Sequence, residues 1–242
     1  MKNIVWMASL LLVLVGCKNE SKSESPTVLK GEIKGAKMGK LYVFQSQDSI
    51  VKILDSVTFD GNGKFEFGLN LTEPDVVYVG FDKGNTQSAD NNLMVFLNVG
   101  VTTLETSVEK FYANAKVTGS VNHEKWEEYK KTMSRYGNKN LELIELHFKA
   151  VRNKNQTAVD SIENLQNKFL KRKYLHTLNF ALLNKDLEIA PFLLLSEIPD
   201  ANVKFLDSIN KSLSAKVKKS KYGKMLDAYI IDIKKSDTLN IN

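Results

Sequence analysis

The residues that could do chemistry in this chain are few and far apart. Its three histidines, His123, His147 and His176, form no close pair in sequence, whereas a metal site needs ligands that converge. Residues 60–63 (Asp-Gly-Asn-Gly) resemble the start of a calcium loop but lack its third ligand and its closing glutamate. The nucleotide-binding and hydrolase motifs that carry known mechanisms are also missing. We therefore predict no metal, no cofactor and no catalytic residue.

The best candidate for a ligand site is the polar loop of residues 82–92. Its side chains carry the carboxylate and amide oxygens that suit a calcium ion or a sugar. The candidate ligand residues are Asp82, Asn85, Asp90 and Asn91. A solvated surface loop is the alternative, since connecting segments of this composition usually lie on the surface.

A second set of candidates consists of hydroxyl groups that could be modified. Five sites resemble the Asp-Ser/Thr-aliphatic pattern of Bacteroidota O-glycosylation. These candidates are Ser49, Ser56, Ser161, Ser208 and Thr238. Asp-Ser pairs are also common at turns and helix caps, which is the alternative interpretation.

The single cysteine, Cys17, directly follows an apolar N-terminal segment. Lys2 provides a positive start, and residues 4–15 are too short to span a bilayer but have the length of a signal-peptide core. Leu14-Val15-Gly16-Cys17 resembles the lipobox of bacterial lipoproteins, in which the cysteine receives a diacylglycerol and the preceding peptide is removed. The resemblance implies that residues 1–16 are a signal peptide and that Cys17 is the lipidated N-terminus. A plain secreted protein is the alternative.

The segment after the cysteine predicts a flexible tether. Residues 18–26 contain no apolar side chain and are rich in Ser, Lys and Glu, so they cannot form a core. We therefore assign residues 17–26 to a lipidated tether that attaches the folded body to a membrane of the cell envelope, most simply the outer membrane. Whether the body faces the periplasm or the cell surface stays open.

Charge is distributed unevenly along the chain. The net charge is −2 over residues 18–120 and +7 over residues 121–242. Two basic clusters, Lys171–Lys173 and Lys216–Lys224, are candidates for contact with anionic lipid head groups or an acidic glycan, with an ordinary solvated helix face as the alternative. Because the signal peptide predicts export, we expect no nucleic-acid partner.

Residues 27–120 have the pattern of an antiparallel β domain. Short β-prone runs such as residues 41–44, 50–59 and 76–81 are separated by polar or glycine-rich turns. The Asp-Gly-Asn-Gly segment between two such runs predicts a hairpin, because glycine and asparagine tolerate positive φ. Six to eight strands at this spacing favour a sandwich or barrel.

Residues 121–242 have the pattern of a helical region. Asn122 is the predicted N-cap of the first helix, with Glu124 in its first turn. Apolar residues recur at helical spacing on either side of Gly137 and again through residues 159–183, 203–213 and 225–233. Such stripes usually form the core of a bundle. The chain is therefore predicted to be α+β, with a sandwich- or barrel-like domain before the helices.

Taken in order, several segments resemble a known module. They are residues 39–43 (GKLYV), 54–56 (LDS), 60–67 (DGNGKFEF), Pro74, the run 93–97, residues 117–120 (VTGS) and Trp126-x-x-Tyr129. Together they are similar to the domain-of-unknown-function-4369 module over about residues 27–129. In Bacteroidota lipoproteins that module typically precedes a thioredoxin-like domain of the TlpA/ResA type of thiol-disulfide oxidoreductases.

This chain departs from those oxidoreductases at the point that matters for activity. It has no Cys-x-x-Cys, and with Cys17 acylated no thiol is free, so the redox activity is not carried over. We expect a non-catalytic envelope lipoprotein that binds a protein partner, a glycan or another ligand. The alternative is an accessory subunit that acts in trans with a separate thioredoxin-like oxidoreductase. The oligomeric state stays open.

Overall fold

The computed structural model describes residues 26–47, 50–84 and 92–239, in which strands come first and helices follow. The strands are β1 (Thr27–Lys34), β2 (Met38–Gln47), β3 (Ile50–Asp60), β4 (Lys64–Leu69), β5 (Asp75–Asp82), β6 (Asn92–Leu97), β7 (Gly100–Ser107) and β8 (Lys116–Thr118). The helices are α1 (Val121–Arg152), α2 (Gln156–Leu183), α3 (Ile189–Glu197), α4 (Val203–Ser212), α5 (Ala215–Lys219) and α6 (Lys221–Leu239). The predicted α+β fold class is confirmed.

The strands form two four-stranded sheets. One has the order β4-β1-β7-β8 and the other the order β3-β2-β5-β6. Neighbouring strands are antiparallel throughout, except that β1 runs parallel to β7, with Thr27 opposite Gly100. The largely antiparallel prediction holds, but the parallel pair was not foreseen, because strand pairing across seventy residues leaves no local signal.

The Asp-Gly-Asn-Gly segment does not form the predicted hairpin. Strand β3 pairs with β2 and β4 pairs with β1, so residues 60–63 cross from one sheet to the other. Gly61 has a φ of +87° and donates its N–H to the carbonyl of Lys37 at 2.8 Å. A Cβ on Gly63 would lie 2.1 Å from the carbonyl oxygen of Ile33. Glycine is therefore needed here for close approach of two backbones, and that need produces the same sequence pattern as a hairpin turn.

Strand β5 belongs to two cores. Val77, Val79 and Phe81 point between the sheets and join the sandwich core. Val76 and the partly buried Tyr78 point the other way and pack against helices. Because both faces of this strand are covered, its side chains do not alternate between apolar and polar. This explains the nearly continuous apolar run of residues 76–81.

The helices begin at the edge of the second core. The N-cap of α1 is Ser120, whose hydroxyl oxygen accepts the N–H of His123 at 3.2 Å. The prediction of Asn122 as the cap was therefore wrong by two residues. Helix α1 also continues through Gly137, so the apolar stripes on either side of that glycine lie on one helix. A third core joins α2, α3, α4, α5 and α6.

Candidate functional site

Helices α1 and α2 form a long antiparallel arm. With 32 and 28 residues they extend over about 48 and 42 Å. The turn between them uses Lys154, whose φ is +54°, and Asn155, whose side chain caps α2 by accepting the N–H of Ala158. Near its start α1 also contacts β6, β8 and α3, whereas its C-terminal half lies against α2.

A cleft of about 300 Å³ opens between α1 and α2 at the middle of this arm. Its walls are apolar and aromatic, with a few polar groups at the rim. The lining residues are Met133, Tyr136, Gly137, Asn140, Gln166, Phe169, Leu170, Lys173 and Glu197. Tyr136 and Phe169 meet edge to face across it, with ring centroids 6.3 Å apart. Such a mixture of apolar walls and a few polar groups is typical of a binding site.

The residues beneath the cleft are neutral and form ring contacts and a buried hydrogen bond with one another. The hydroxyl groups of Tyr129 and Thr177 lie 2.8 Å apart, and burial raises the pKa of Tyr129 well above its usual range. His176 stacks on the ring of Tyr129 and lies against the tilted ring of Tyr136, and burial lowers the pKa of His176. His176 is therefore neutral at physiological pH and forms part of an aromatic layer.

Gly137 leaves part of the cleft wall open. A Cβ built on Gly137 would meet no atom within 4 Å, so the packing of the described chain does not require glycine there. Glycine inside a helix costs about 1 kcal/mol relative to alanine. The missing side chain at Gly137 widens the cleft, and no close contact with the described residues offsets the cost of glycine in the helix.

An apolar stripe continues from the cleft toward the tip of the arm. Gly137 is followed along α1 by Leu141, Ile144, Phe148 and Val151, at alternating intervals of four and three residues. Residues at these intervals share one face of a helix. Phe148 is 69% exposed, whereas Leu143, which faces α2, is 2% exposed. The distal stripe therefore lacks a covering element among the described residues.

The junction between the sheets and the helices contains a buried carboxylate whose acceptor sites are all occupied. Asp75 Oδ1 accepts hydrogen bonds from Tyr222 Oη at 2.7 Å and from the N–H of Val76 at 2.8 Å. Asp75 Oδ2 accepts from Gln45 at 2.7 Å, and Lys221 Nζ lies 2.8 Å from both oxygens. A carboxylate with so many donors is suited to fixing α6 on β5 rather than to transferring a proton.

A second buried network joins the start of α1 to the start of α3. Asn122 Oδ1 accepts the N–H of Ile189 at 2.8 Å, and its amide group donates to Glu188 at 2.9 Å and to Asn98 at 3.3 Å. The other oxygen of the buried Glu188 lies 3.4 Å from Lys216 Nζ. This network is again structural, because its groups bind one another; Glu188 Oε1 has the ion pair with Lys216 but no hydrogen-bond partner among the described residues.

The sequence-predicted sites are only partly within the described residues. Cys17, Asn85, Asp90, Asn91 and Ser49 lie outside them, as does the side chain of Thr238. Asp82 ends β5 and accepts the N–H of Gly84 at 2.7 Å, so it stabilises the start of its loop. Of the hydroxyl candidates, Ser161 and Ser208 are exposed on helices, and Ser56 is half-buried on β3.

The predicted basic clusters are partly paired within the protein. Lys173 Nζ lies 3.7 Å from Glu197, and the guanidinium of Arg172 lies over the ring of Phe169. Lys221 is bound to Asp75 as described above.

Within residues 26–47, 50–84 and 92–239, no group of three or more His, Cys, Asp or Glu side chains could hold a metal ion. No helix in the same ranges has both the length and the apolar character to cross a membrane.

The cleft was not predicted from the sequence. Met133 and Phe169 were recognised only as members of apolar stripes, which usually form cores, and Gly137 was interpreted as a break between stripes. One signal could have indicated the site: a 32-residue helix has more apolar positions than a single neighbouring helix can cover.

Comparison with known proteins identifies the sheet-forming part of the chain. Residues 27–126 match the model of a family described as a domain of unknown function (DUF4369), which confirms the resemblance found in the sequence. The matched segment contains all eight described strands and the first six residues of α1. No curated protein and no solved structure shows a significant match to the chain. The family description assigns no activity.

Proposed function

We propose that this chain, whose residues 27–126 belong to the DUF4369 family, is a non-catalytic lipoprotein of the bacterial cell envelope that binds a partner protein through its α1–α2 arm. The observation that carries the proposal is the cleft between α1 and α2 together with the uncovered stripe that continues from it. The signal-like residues 1–16 and Cys17 support attachment to the outer membrane through acyl chains.

The shape of the site favours a helical segment of another protein as its ligand. The stripe from Gly137 to Val151 repeats every 3.5 residues on average, which is the spacing by which one helix packs along another in a coiled coil. An amphipathic helix placed along the stripe would bury Leu141 and Phe148 and insert a side chain beside Gly137. A small molecule could fill the cleft but would leave the distal stripe exposed.

Site-specific photo-crosslinking in cells tests the partner. A photoreactive residue at Phe148 lies on the stripe, whereas one at Leu146 is also exposed and apolar but points about 160° away around the helix. We expect a discrete crosslinked species from position 148 that is absent from position 146. Equal crosslinking from the two positions, or none from position 148, would contradict the proposed binding surface.

Filling the cleft provides a second, independent test of the binding surface. Gly137→Leu adds an isobutyl group to open space in the cleft, and Arg135→Leu replaces a charged side chain with the same group on the opposite side of α1. We expect Gly137→Leu to abolish the crosslink from position 148 and Arg135→Leu to leave it unchanged. Melting temperatures of both variants check that the arm stays folded.

The identity of the captured protein separates the two functions expected from the sequence. A partner with a thioredoxin-like domain and a Cys-x-x-Cys motif would make this chain an accessory subunit that acts in trans. An envelope protein of another class would support a general binding module. The anchor is tested separately by the intact mass, since Cys17→Ser should accumulate with residues 1–16 still attached.

A further inference from the structure

The position where the tether joins the folded body is fixed by two hydrogen bonds. The carbonyl of Pro26 accepts the N–H of Gly100 at 2.9 Å, and the hydroxyl of the buried Thr27 donates to the carbonyl of Leu71 at 2.7 Å. The tether therefore emerges between the β6–β7 turn and the segment that joins β4 to β5.

A lysine-rich segment lies close to this position. Residues 208–226 contain six lysines and no Asp or Glu. They include α5 and the first turn of α6, where Lys216, Lys218, Lys219 and Lys224 are exposed. The ammonium groups of Lys219 and Lys224 have no ion-pair partner among the described residues, so their charge is available to an external anion.

Two chains of polar contacts join the lysine-rich segment to the tether attachment. In the first, Glu73 accepts the N–H of Lys221 at 2.8 Å and follows Leu71 by two residues, a span of about 7 Å. The second runs from Lys216 through Glu188 and Asn122 to the β6–β7 turn, where Gly100 binds Pro26. The lysine-rich segment is therefore joined to both of the elements between which the tether emerges.

Apolar side chains are exposed at the same end of the body. Val99 and Val101 flank Gly100 and are each 51% exposed, and Met225, next to Lys224, is 45% exposed. Lysines around a few exposed apolar side chains make a surface that suits the boundary between lipid head groups and acyl chains.

We propose that this basal face, defined by Val99, Val101, Lys216, Lys219 and Lys224, docks on anionic phospholipid head groups. The inference rests on the proposed lipid anchor, because a tether of ten residues confines the body to within about 35 Å of the bilayer. Each lysine near an anionic surface strengthens association by about fivefold. Docking places the start of α1 at the membrane side, and the tip of the arm lies about 48 Å along the helix from that start.

Quenching by labelled lipids tests the orientation of the full lipidated chain in vesicles. With Cys17 acylated the protein has no other cysteine, so Ala215→Cys on the basal face and Lys37→Cys at the far end of the sandwich can each carry one fluorophore. The quencher is a nitroxide on the lipid head group, and the vesicles contain phosphatidylcholine with or without phosphatidylglycerol.

The expected result is selective quenching at position 215 when phosphatidylglycerol is present. Lys219→Gln with Lys224→Gln should reduce the ratio of docked to undocked protein by about 30-fold. The control pair, Lys34→Gln with Lys110→Gln, removes the same charge at the opposite end of the sandwich and should change nothing. Equal quenching at positions 215 and 37, or quenching at 215 that does not depend on phosphatidylglycerol, overturns the proposal.

Failure of the anchor gives a different result from failure of the basal face. A chain that does not float with phosphatidylcholine vesicles lacks the anchor, and the proposed function fails. Flotation on phosphatidylglycerol vesicles that is lost in Lys219→Gln with Lys224→Gln would then still support the basal face. A chain that floats with neither kind of vesicle overturns both proposals.

Discussion

Tyr222 on α6 donates a hydrogen bond of 2.7 Å to the carboxylate of Asp75 on β5. The same hydroxyl oxygen accepts the N–H of Val76 at 3.1 Å, and burial beside Asp75 raises the pKa of Tyr222 well above its usual range. The phenol therefore stays neutral and serves as donor and acceptor at once. One side chain from the last helix thus hydrogen-bonds to a strand inside the segment that matches the DUF4369 model, which ties the helices to the sheets.

The substitution Tyr222→Phe should destabilise the protein by about 1–3 kcal/mol, because it removes a hydrogen bond donated to the buried carboxylate of Asp75 and one accepted from the buried N–H of Val76. Chemical denaturation of the two proteins measures the change. Tyr174→Phe removes a similar bond to Asp200 at an exposed position and should cost less than about 1 kcal/mol. Equal effects of the two substitutions would show that the junction is not held by Tyr222.

Asn122→Ala should lower the free energy of unfolding by about 2–4 kcal/mol, more than Tyr222→Phe. The reason is that one side-chain amide hydrogen-bonds to groups of three other residues. Its loss leaves the N–H of Ile189 and one oxygen of Glu188 unpaired in the interior. Urea unfolding of the variant provides the free energy. Asn138→Ala, at an exposed position of the same helix, is the matched control and should change stability by less than about 0.5 kcal/mol.

The fold class of this chain could be predicted from its sequence, but the hydrogen-bond partners of Asn122 and Asp75 could not. The strand alternation and helical stripes were sufficient to predict the α+β class, because periodicity reflects which face is buried. Asn122 was recognised as a capping residue type, but its role depends on Glu188 and Ile189, which are more than sixty residues away. The partners of Asp75, likewise, come from β2 and α6, so no local pattern could reveal them.

The cleft could not be predicted for a related reason. Leu141 and Phe148 have the spacing of core residues, and most stripes of that kind in this chain are indeed buried. This stripe is uncovered because α1 extends beyond the elements that pack on its first half. That length could not be predicted from the sequence, because Gly137 could equally have ended the helix.

Gly137→Ala should stabilise the protein by about 0.5–1 kcal/mol, since it removes the entropic cost of glycine in a helix and meets no clash. Thermal unfolding should show a melting temperature higher by about 1–4 °C. The contrasting variant is Gly223→Ala, whose Cβ would lie 2.0 Å from the carbonyl of Val217 and which should lower the melting temperature. A destabilised Gly137→Ala would mean that the arm adopts another conformation.

If the protein carries an O-linked glycan at a described serine, we expect it at Ser161 or Ser208 rather than at Ser56. The two helical serines are exposed, whereas Ser56 is half-buried on a strand and its backbone N–H contacts Asp55 at 2.7 Å. Glycopeptide mass spectrometry of protein from the native envelope locates the site. A modified peptide that contains Ser56 would contradict the prediction, and Ser161→Ala with Ser208→Ala should remove the modification.

Stability should fall in acid partly because of Glu127. His123 accepts the N–H of Phe96 at Nδ1, so its remaining proton lies on Nε2, 3.3 Å from Glu127 Oε1. That hydrogen bond, assisted by Lys130 at 2.6 Å, lowers the pKa of Glu127 from 4.5 to about 2. A carboxylate with a depressed pKa in the folded state contributes stability above the unfolded value and loses it as pH falls from 4.5 toward 2.

The variant Glu127→Gln isolates this contribution, because it cannot lose a charge on acidification. We expect the wild-type protein to lose about 1 kcal/mol more than Glu127→Gln between neutral pH and pH 2, a value reduced from the full pKa shift because the side chain is half exposed. Denaturation curves at a series of pH values measure both proteins, with Glu128→Gln as the control on the neighbouring ion pair with Lys125. A free-energy difference between wild type and Glu127→Gln that stays constant from pH 7 to pH 2 would mean that the bond from His123 does not hold the carboxylate in its ionised form.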